Sequence, residues 1–188
     1  FLIVRTGKDS CYMVIMDNIN VDNGIHNFKW QLQANMHTNI SVKNNSALVK
    51  GNKAILDCYF FNPLPEDFPT APHSLKVYAD NHQHLNIWTK EPETNPRLVA
   101  EQNGPNCMLM SLVIPHSTTE KPPVVASLPH PRTFVVSVKH IQYEDIIIWG
   151  CDHSWIRLPG IKSDSELTLI RRNKKNRIAY PPPTSHRP

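Results

Sequence analysis

From Phe28 to Ala34 the side chains alternate without a break: Phe28, Trp30, Leu32 and Ala34 share one parity, while Lys29, Gln31 and Gln33 share the other. A period of two puts one set against a core and the other in water, the mark of a half-buried β-strand. The segments before it read the same way. Phe1–Thr6 and Cys11–Asp17 flank a turn at Gly7-Lys8-Asp9-Ser10, and a second turn near Asn23-Gly24 leads into His26–Ala34. The chain is therefore predicted to open with three consecutive antiparallel strands.

The pattern continues to the end. Thr38–Lys43 and Ala47–Lys50 flank the polar turn Asn44-Asn45-Ser46 and predict a hairpin. Lys53–Phe61 and the dense run Cys107–Ile114 are apolar on both parities, as expected of interior strands covered on both sides. Asn62–Pro72 and Pro115–Pro131 are proline-rich and read as loops, and Glu91–Pro96 as a connector. Ser74–Ala79 and Leu85–Thr89 suggest a hairpin turning at Asp80–His84, with Leu98–Glu101 a short strand. Phe134–Ile141, Asp145–Gly150 and Ser154–Leu158 follow, and Leu167–Arg171 with Arg177–Tyr180 form a last hairpin. No helical periodicity appears. The expected fold is all-β: an antiparallel two-sheet β-sandwich of roughly a dozen strands. It is expected to span residues 1–180 as one domain, with 181–188 a proline-rich extended tail.

Composition sharpens this picture. Seventeen prolines against six glycines in 188 residues favour short strands between stiff loops over long helices. No run approaches the roughly 18–20 apolar residues that a membrane-spanning helix needs, so no membrane span is expected. A net charge of +4, mostly scattered, argues against a nucleic-acid partner and is compatible with an acidic polysaccharide. The start at Phe1, inside an apparent strand, suggests a piece of a longer protein. Cys11, Cys58, Cys107 and Cys151 show no C-x-x-C spacing, so a structural zinc site is not expected. For Cys11, Cys58 and Cys107, inside apolar runs, a free buried thiol is the simpler reading than a disulfide. Asn39-Ile40-Ser41 and Asn44-Asn45-Ser46 are glycosylation sequons, a pattern short enough to arise by chance.

The residues that carry chemistry each have an ordinary structural role to weigh. His26 shares the parity of Phe28 and Trp30, so a core or edge histidine competes with a substrate-facing one. His82 and His84 sit on one side of an extended segment, as a metal chelate would, but no third ligand is apparent. Asp152, His153 and Ser154 contain the residue types of a catalytic triad, yet neighbours on a strand point to opposite faces. The basic stretch Arg171 to Arg177 is either a polyanion contact, led by Arg171 and Arg172, or a solvated hairpin tip. Trp30 and Trp149 read as core, whereas Trp88 and Trp155 remain candidates for stacking on a sugar ring.

Several pieces together resemble a known family. Arg5, Tyr12, Val14 and Asp17, then His26, Trp30 and Leu32, are similar in order and spacing to a stretch of the heparinase II/III-like superfamily of polysaccharide lyases and uronyl epimerases. Phe60-Phe61-Asn62-Pro63, the run Met108 to Pro115 and the close Leu167 to Arg172 resemble later parts of the same pattern. The resemblance implies an accessory β-sandwich that supports an upstream helical catalytic domain, a toroid, and helps wall its substrate cleft. It also implies a uronic-acid-containing polysaccharide as substrate, and a secreted, periplasmic or secretory-lumen setting. The family's catalytic and metal-binding residues lie ahead of this region, so no catalytic residue, metal or cofactor is expected in this chain. A different class, a stand-alone carbohydrate-binding or adhesion sandwich, stays open, as does a small metal-dependent hydrolase using His82 and His84.

Overall fold

The computed structural model describes residues 1–7, 11–62, 74–128, 133–150, 156–158, 161–163, 166–173 and 177–180. Among them are sixteen strands: β1 (Leu2–Arg5), β2 (Cys11–Asn20), β3 (His26–Gln33), β4 (Asn39–Lys43), β5 (Ser46–Lys50), β6 (Ala54–Phe61), β7 (Leu75–Leu85), β8 (Pro92–Gly104) and β9 (Asn106–Ser117) come first. They are followed by β10 (Val124–Ser127), β11 (Thr133–Lys139), β12 (Tyr143–Gly150), β13 (Ile156–Leu158), β14 (Ile161–Ser163), β15 (Leu167–Asn173) and β16 (Arg177–Tyr180). The fold is all-β and antiparallel, as the alternation predicts. Instead of two sheets there are three, plus the β13–β14 ribbon. Contacts group the chain into two compact units, the first holding β1 to β9 and the second β10 to β16.

The first unit is a two-layer sandwich. A six-stranded sheet runs β1-β2-β9-β6-β5-β4, and a three-stranded sheet runs β3-β8-β7. The predicted alternation in β3 is observed, with Phe28, Trp30 and Leu32 turned inward. They meet Cys58 and Phe60 of β6, Leu98 and Ala100 of β8, and Leu109 and Val113 of β9. Trp30 lies edge-on to Phe60, with ring centroids 5.0 Å apart, a favourable aromatic geometry. β9 and β6 are interior strands as expected, and β9 is buried on both parities from Cys107 to Ile114.

Sequence and structure part company where polar side chains sit mid-strand. β3 does not pair with β2; it crosses to the other sheet and pairs with β8. Asp80–His84 is not a turn but the middle of the eleven-residue β7, and Glu91–Pro96 is mostly the start of the thirteen-residue β8. Asp80 looked like turn chemistry because its reason for being in a strand is its register partner, Arg97. Pro96 is tolerated because it offers only its carbonyl, which accepts the Ala34 N–H at 2.8 Å. Pro115 lies inside β9, and the loop predicted over 115–131 contains β10. The β4–β5 hairpin is as expected, turning at Asn44 in the left-handed region (φ 53°), which asparagine tolerates better than most residues.

The second unit is built on a sheet ordered β10-β11-β12-β15-β16, so the predicted last hairpin is its closing pair. Val135, Ile146, Ile148 and Ile170 cluster on one face. Trp149 stacks on Phe134 at 5.0 Å and is buried, a core tryptophan as read from the sequence. The expectations for loop 62–72 beyond its first residue, for Lys174 and Lys175, and for the tail 181–188 lie outside the described residues, as do Cys151, the Asp152-His153-Ser154 group and Trp155.

Candidate functional site: a cleft under the overhanging sheet

The unequal width of the two layers creates a concavity. With neighbouring strands about 4.8 Å apart, six strands span roughly 24 Å and three span roughly 10 Å. The inner core joins β3, β8 and β7 to β4, β5, β6 and β9. That leaves the inward parity of β2 overhanging, and a cleft of about 460 Å³ lies there. Its walls are Asp17 and Ile19 of β2, the stretch from Asn27 to Gln31 of β3, Ala100 and Gln102 of β8, and Cys107 and Leu109 of β9.

Asp17 is the unexpected member. It lies in register with Leu109 on an otherwise apolar parity, and burial holds its carboxyl above the usual carboxylate range. The sequence signal was present, because a charged residue sits where alternation calls for an apolar one. Gln102 is fully buried and committed: its amide donates to the Met108 carbonyl at 3.2 Å and accepts from the Cys107 thiol at 3.1 Å. Burial pushes the Cys107 thiol up to about 11, and the Asp17 carboxylate adds to it. Such a thiol is a weak nucleophile at neutral pH. Asp17 and Cys107 are thus two acids held toward their neutral forms, and among the described residues neither is hydrogen-bonded to a base. The side chains turned toward the cleft include the Phe28 and Trp30 rings, the Asp17 carboxyl and the committed Gln102 amide, while Asn27, Lys29 and Gln31 line it from the outward parity of β3.

Several ionisable groups pair with one another, some of them at the rim of the cleft. On the outer face of the three-stranded sheet, Glu101 accepts from Tyr78 Oη at 2.8 Å and from Asn27 Nδ2 at 2.7 Å, with Lys29 Nζ at 3.7 Å. These hydrogen bonds hold Glu101 below and Tyr78 above their ordinary values. Arg97 grips Asp80 with Nε at 2.8 Å and Nη2 at 2.6 Å, which lowers the aspartate's pKa. On the six-stranded sheet, His116 Nε2 lies 3.0 Å from Asp57 Oδ2 and its Nδ1 lies 2.9 Å from the Ser117 carbonyl. Neither Asp57 nor His116 stood out in the sequence, because 59 positions separate them.

The residues singled out earlier are not brought together. His26 does turn toward Phe28, with ring centroids 6.1 Å apart, but its Nε2 is 2.6 Å from Asp22 Oδ1. The same oxygen accepts the Gly24 N–H at 2.6 Å, so the histidine pins the β2–β3 turn. Arg171 and Arg172 point to opposite faces of β15 and do not form one anionic contact. Arg171 is clamped on Asp145 at 2.7 and 2.8 Å with its guanidinium over the Tyr143 ring. Arg172 is half-buried in register with Glu144. The His82 and His84 rings lie parallel, 6.4 Å apart, and His84 faces Glu93 at 3.6 Å. Among the described residues no three His, Cys, Asp or Glu side chains are grouped to hold a metal ion. Trp88 is exposed at the tip of the β7–β8 hairpin, and Asn39 and Asn44 are exposed at β4 and its turn. Cys58 and Cys107 are free buried thiols, as expected, whereas Cys11 is free and exposed. Burial, with the neighbouring Asp57 charge, pushes Cys58 up to about 12.

Against known proteins, no family model matches the chain, and no curated protein matches it. No helix among the described residues is long and apolar enough to cross a membrane.

Proposed function

We propose that this chain is the accessory β-sandwich region of a multidomain lyase or epimerase acting on uronic-acid-containing polysaccharide. In this reading it supports an upstream helical catalytic domain and helps wall the substrate cleft. The ordered sequence resemblance supplies the family. The observation that carries the accessory role is the way charge is spent: Asp22 with His26, Asp57 with His116, Asp80 with Arg97, and Asp145 with Arg171 are partners within turns or across strands. Proton abstraction beside a carboxylate needs a base, a neutralising group and an acid converging on one ring, and these groups face one another instead.

The test is turnover. The 188-residue chain, mixed with glycosaminoglycan or alginate in heavy water, is expected to yield neither unsaturated uronate nor deuterium exchange at C5. A protein that joins it to its helical catalytic region is expected to yield one or the other. Turnover by the chain alone would end the accessory reading. A second reading, a stand-alone carbohydrate-binding module, is favoured by the cleft beside Asp17, which Phe28 and Trp30 help to line. Saturable oligosaccharide binding that Asp17→Asn abolishes, without any catalytic partner, would support it.

A further inference from the structure

We propose that the loop joining β7 to β8 is a preformed contact for a pyranose ring, with the Trp88 indole as the stacking surface. The inference rests on the polysaccharide reading above and names a place where that polymer touches the chain.

The loop stands clear of the sheet. The last β3 residue, Gln33, pairs with Arg97 and the next N–H, of Ala34, reaches Pro96, whereas β7 and β8 continue as a two-stranded arm from His82 opposite Asn95 to Leu85 opposite Pro92. At its end the connection is tightly built. Asn86 Oδ1 accepts from the backbone N–H groups of Trp88 at 2.8 Å and Thr89 at 3.1 Å, and its Nδ2 donates to Glu93. The Asn86 N–H donates to the Glu91 carbonyl and the Lys90 N–H to the Asn86 carbonyl, both at 2.9 Å. Lys90 holds a left-handed φ of 62° to close the turn. All of this order presents large apolar side chains to water: Trp88 is 87% exposed and Ile87 69%.

The other described tryptophans use their rings internally, Trp30 against Phe60 and Trp149 against Phe134. The Trp88 ring is left nearly whole, so both faces are accessible. Exposing so much apolar surface is unfavourable in isolation, and fixing it on a rigid loop lowers the ordering cost when something binds. The occupant must present an apolar face and a polar edge. A pyranose does both, with C–H groups for the indole and hydroxyls for the exposed side chains of Thr89, Lys90 and Glu91. Lys90 also offers a cation to a uronate carboxylate. Glu91 and Glu93 at the same end oppose any densely anionic partner, lipid or glycan, so the indole rather than net charge carries the contact.

The test titrates the 188-residue chain and its Trp88→Phe, Trp88→Ala and Lys90→Ala variants with a chondroitin hexasaccharide, cellohexaose and phosphatidylcholine vesicles. Tryptophan fluorescence and calorimetry are the readouts. Hexasaccharide should change the fluorescence, Trp88→Phe should remove that change, and Trp88→Ala should weaken binding roughly tenfold. Because the side chain is exposed, the variants should melt as the parent does, which separates lost binding from lost fold. An equally strong Trp88-dependent response to cellohexaose supports the contact while overturning the uronate reading, so the two fail separately. No saccharide binding, binding that Trp88→Ala leaves within about twofold, or a response to vesicles alone overturns the proposal.

Discussion

Two arginine–aspartate clamps, one in each unit, are built to the same plan and carry different stakes. Arg97 faces Asp80 across β8 and β7, and Arg171 faces Asp145 across β15 and β12. In both, Nε and Nη2 grip the two carboxylate oxygens at 2.6–2.8 Å. The Asp80 side chain is 34% exposed, whereas that of Asp145 is 0%. Water reaches both partners of the first pair but only the arginine of the second, whose carboxylate is fully enclosed. Bond geometry alone therefore says little about what a pair contributes; the desolvation of its more buried partner decides it.

The largest expected effect follows from removing the cation over the buried carboxylate. Arg171→Met should destabilise the protein by about 3–5 kcal/mol, because Asp145 is left without its clamp in an apolar layer. Urea unfolding reads this, and adding Asp145→Leu should restore most of the loss. An unchanged midpoint in Arg171→Met would break the comparison and return Arg171 to the list of ligand contacts.

Asp17 sharpens the contrast from the other side, as a half-buried carboxylate with no cation in hydrogen-bond contact among the described residues. Its folded pKa is raised, so the folded state holds that proton to higher pH than the unfolded chain does. Its contribution to stability is full below the unfolded value of about 4 and declines as pH rises through the folded value. Asp17→Asn should therefore gain on the parent between about pH 4 and 7, and melting curves across that window check the sign.

The smallest effect is expected at Asp80. Its folded pKa is depressed by Arg97, so its contribution is present above about pH 4 and lost as pH falls through the folded value. Asp80→Asn should shift the neutral-pH melting point by about 2 °C or less. The difference from the parent should vanish in acid. A loss as large as that of Arg171→Met would show that exposure does not separate the two clamps.

These pairs also mark where reading the chain runs out. Asp145 was legible as the start of a strand, yet nothing local says that it is buried in an Ile-rich layer beside Arg171, 26 positions away. Asp80 and His82 looked like turn residues because their polarity is satisfied across the sheet, by Arg97 for the first. Trp30 and Trp149 were legible as core from their apolar neighbours. Trp88 stood apart for want of them, and its exposure follows from the Asn86-locked turn.

Local alternation by itself determined that this chain is all-β, where its interior strands lie and which face of β3 is buried, because the two-residue side-chain period is a property of the extended backbone. It also placed the β4–β5 hairpin, whose turn residues are adjacent in sequence. Only the tertiary structure decided that β3 leaves the first sheet for β8, that a wide layer overhangs a narrow one to open the cleft at Asp17, and that Arg171 serves Asp145. Each of these depends on which strands pair over long separations, and pairing partners are chosen by the summed burial of whole faces rather than by any local pattern.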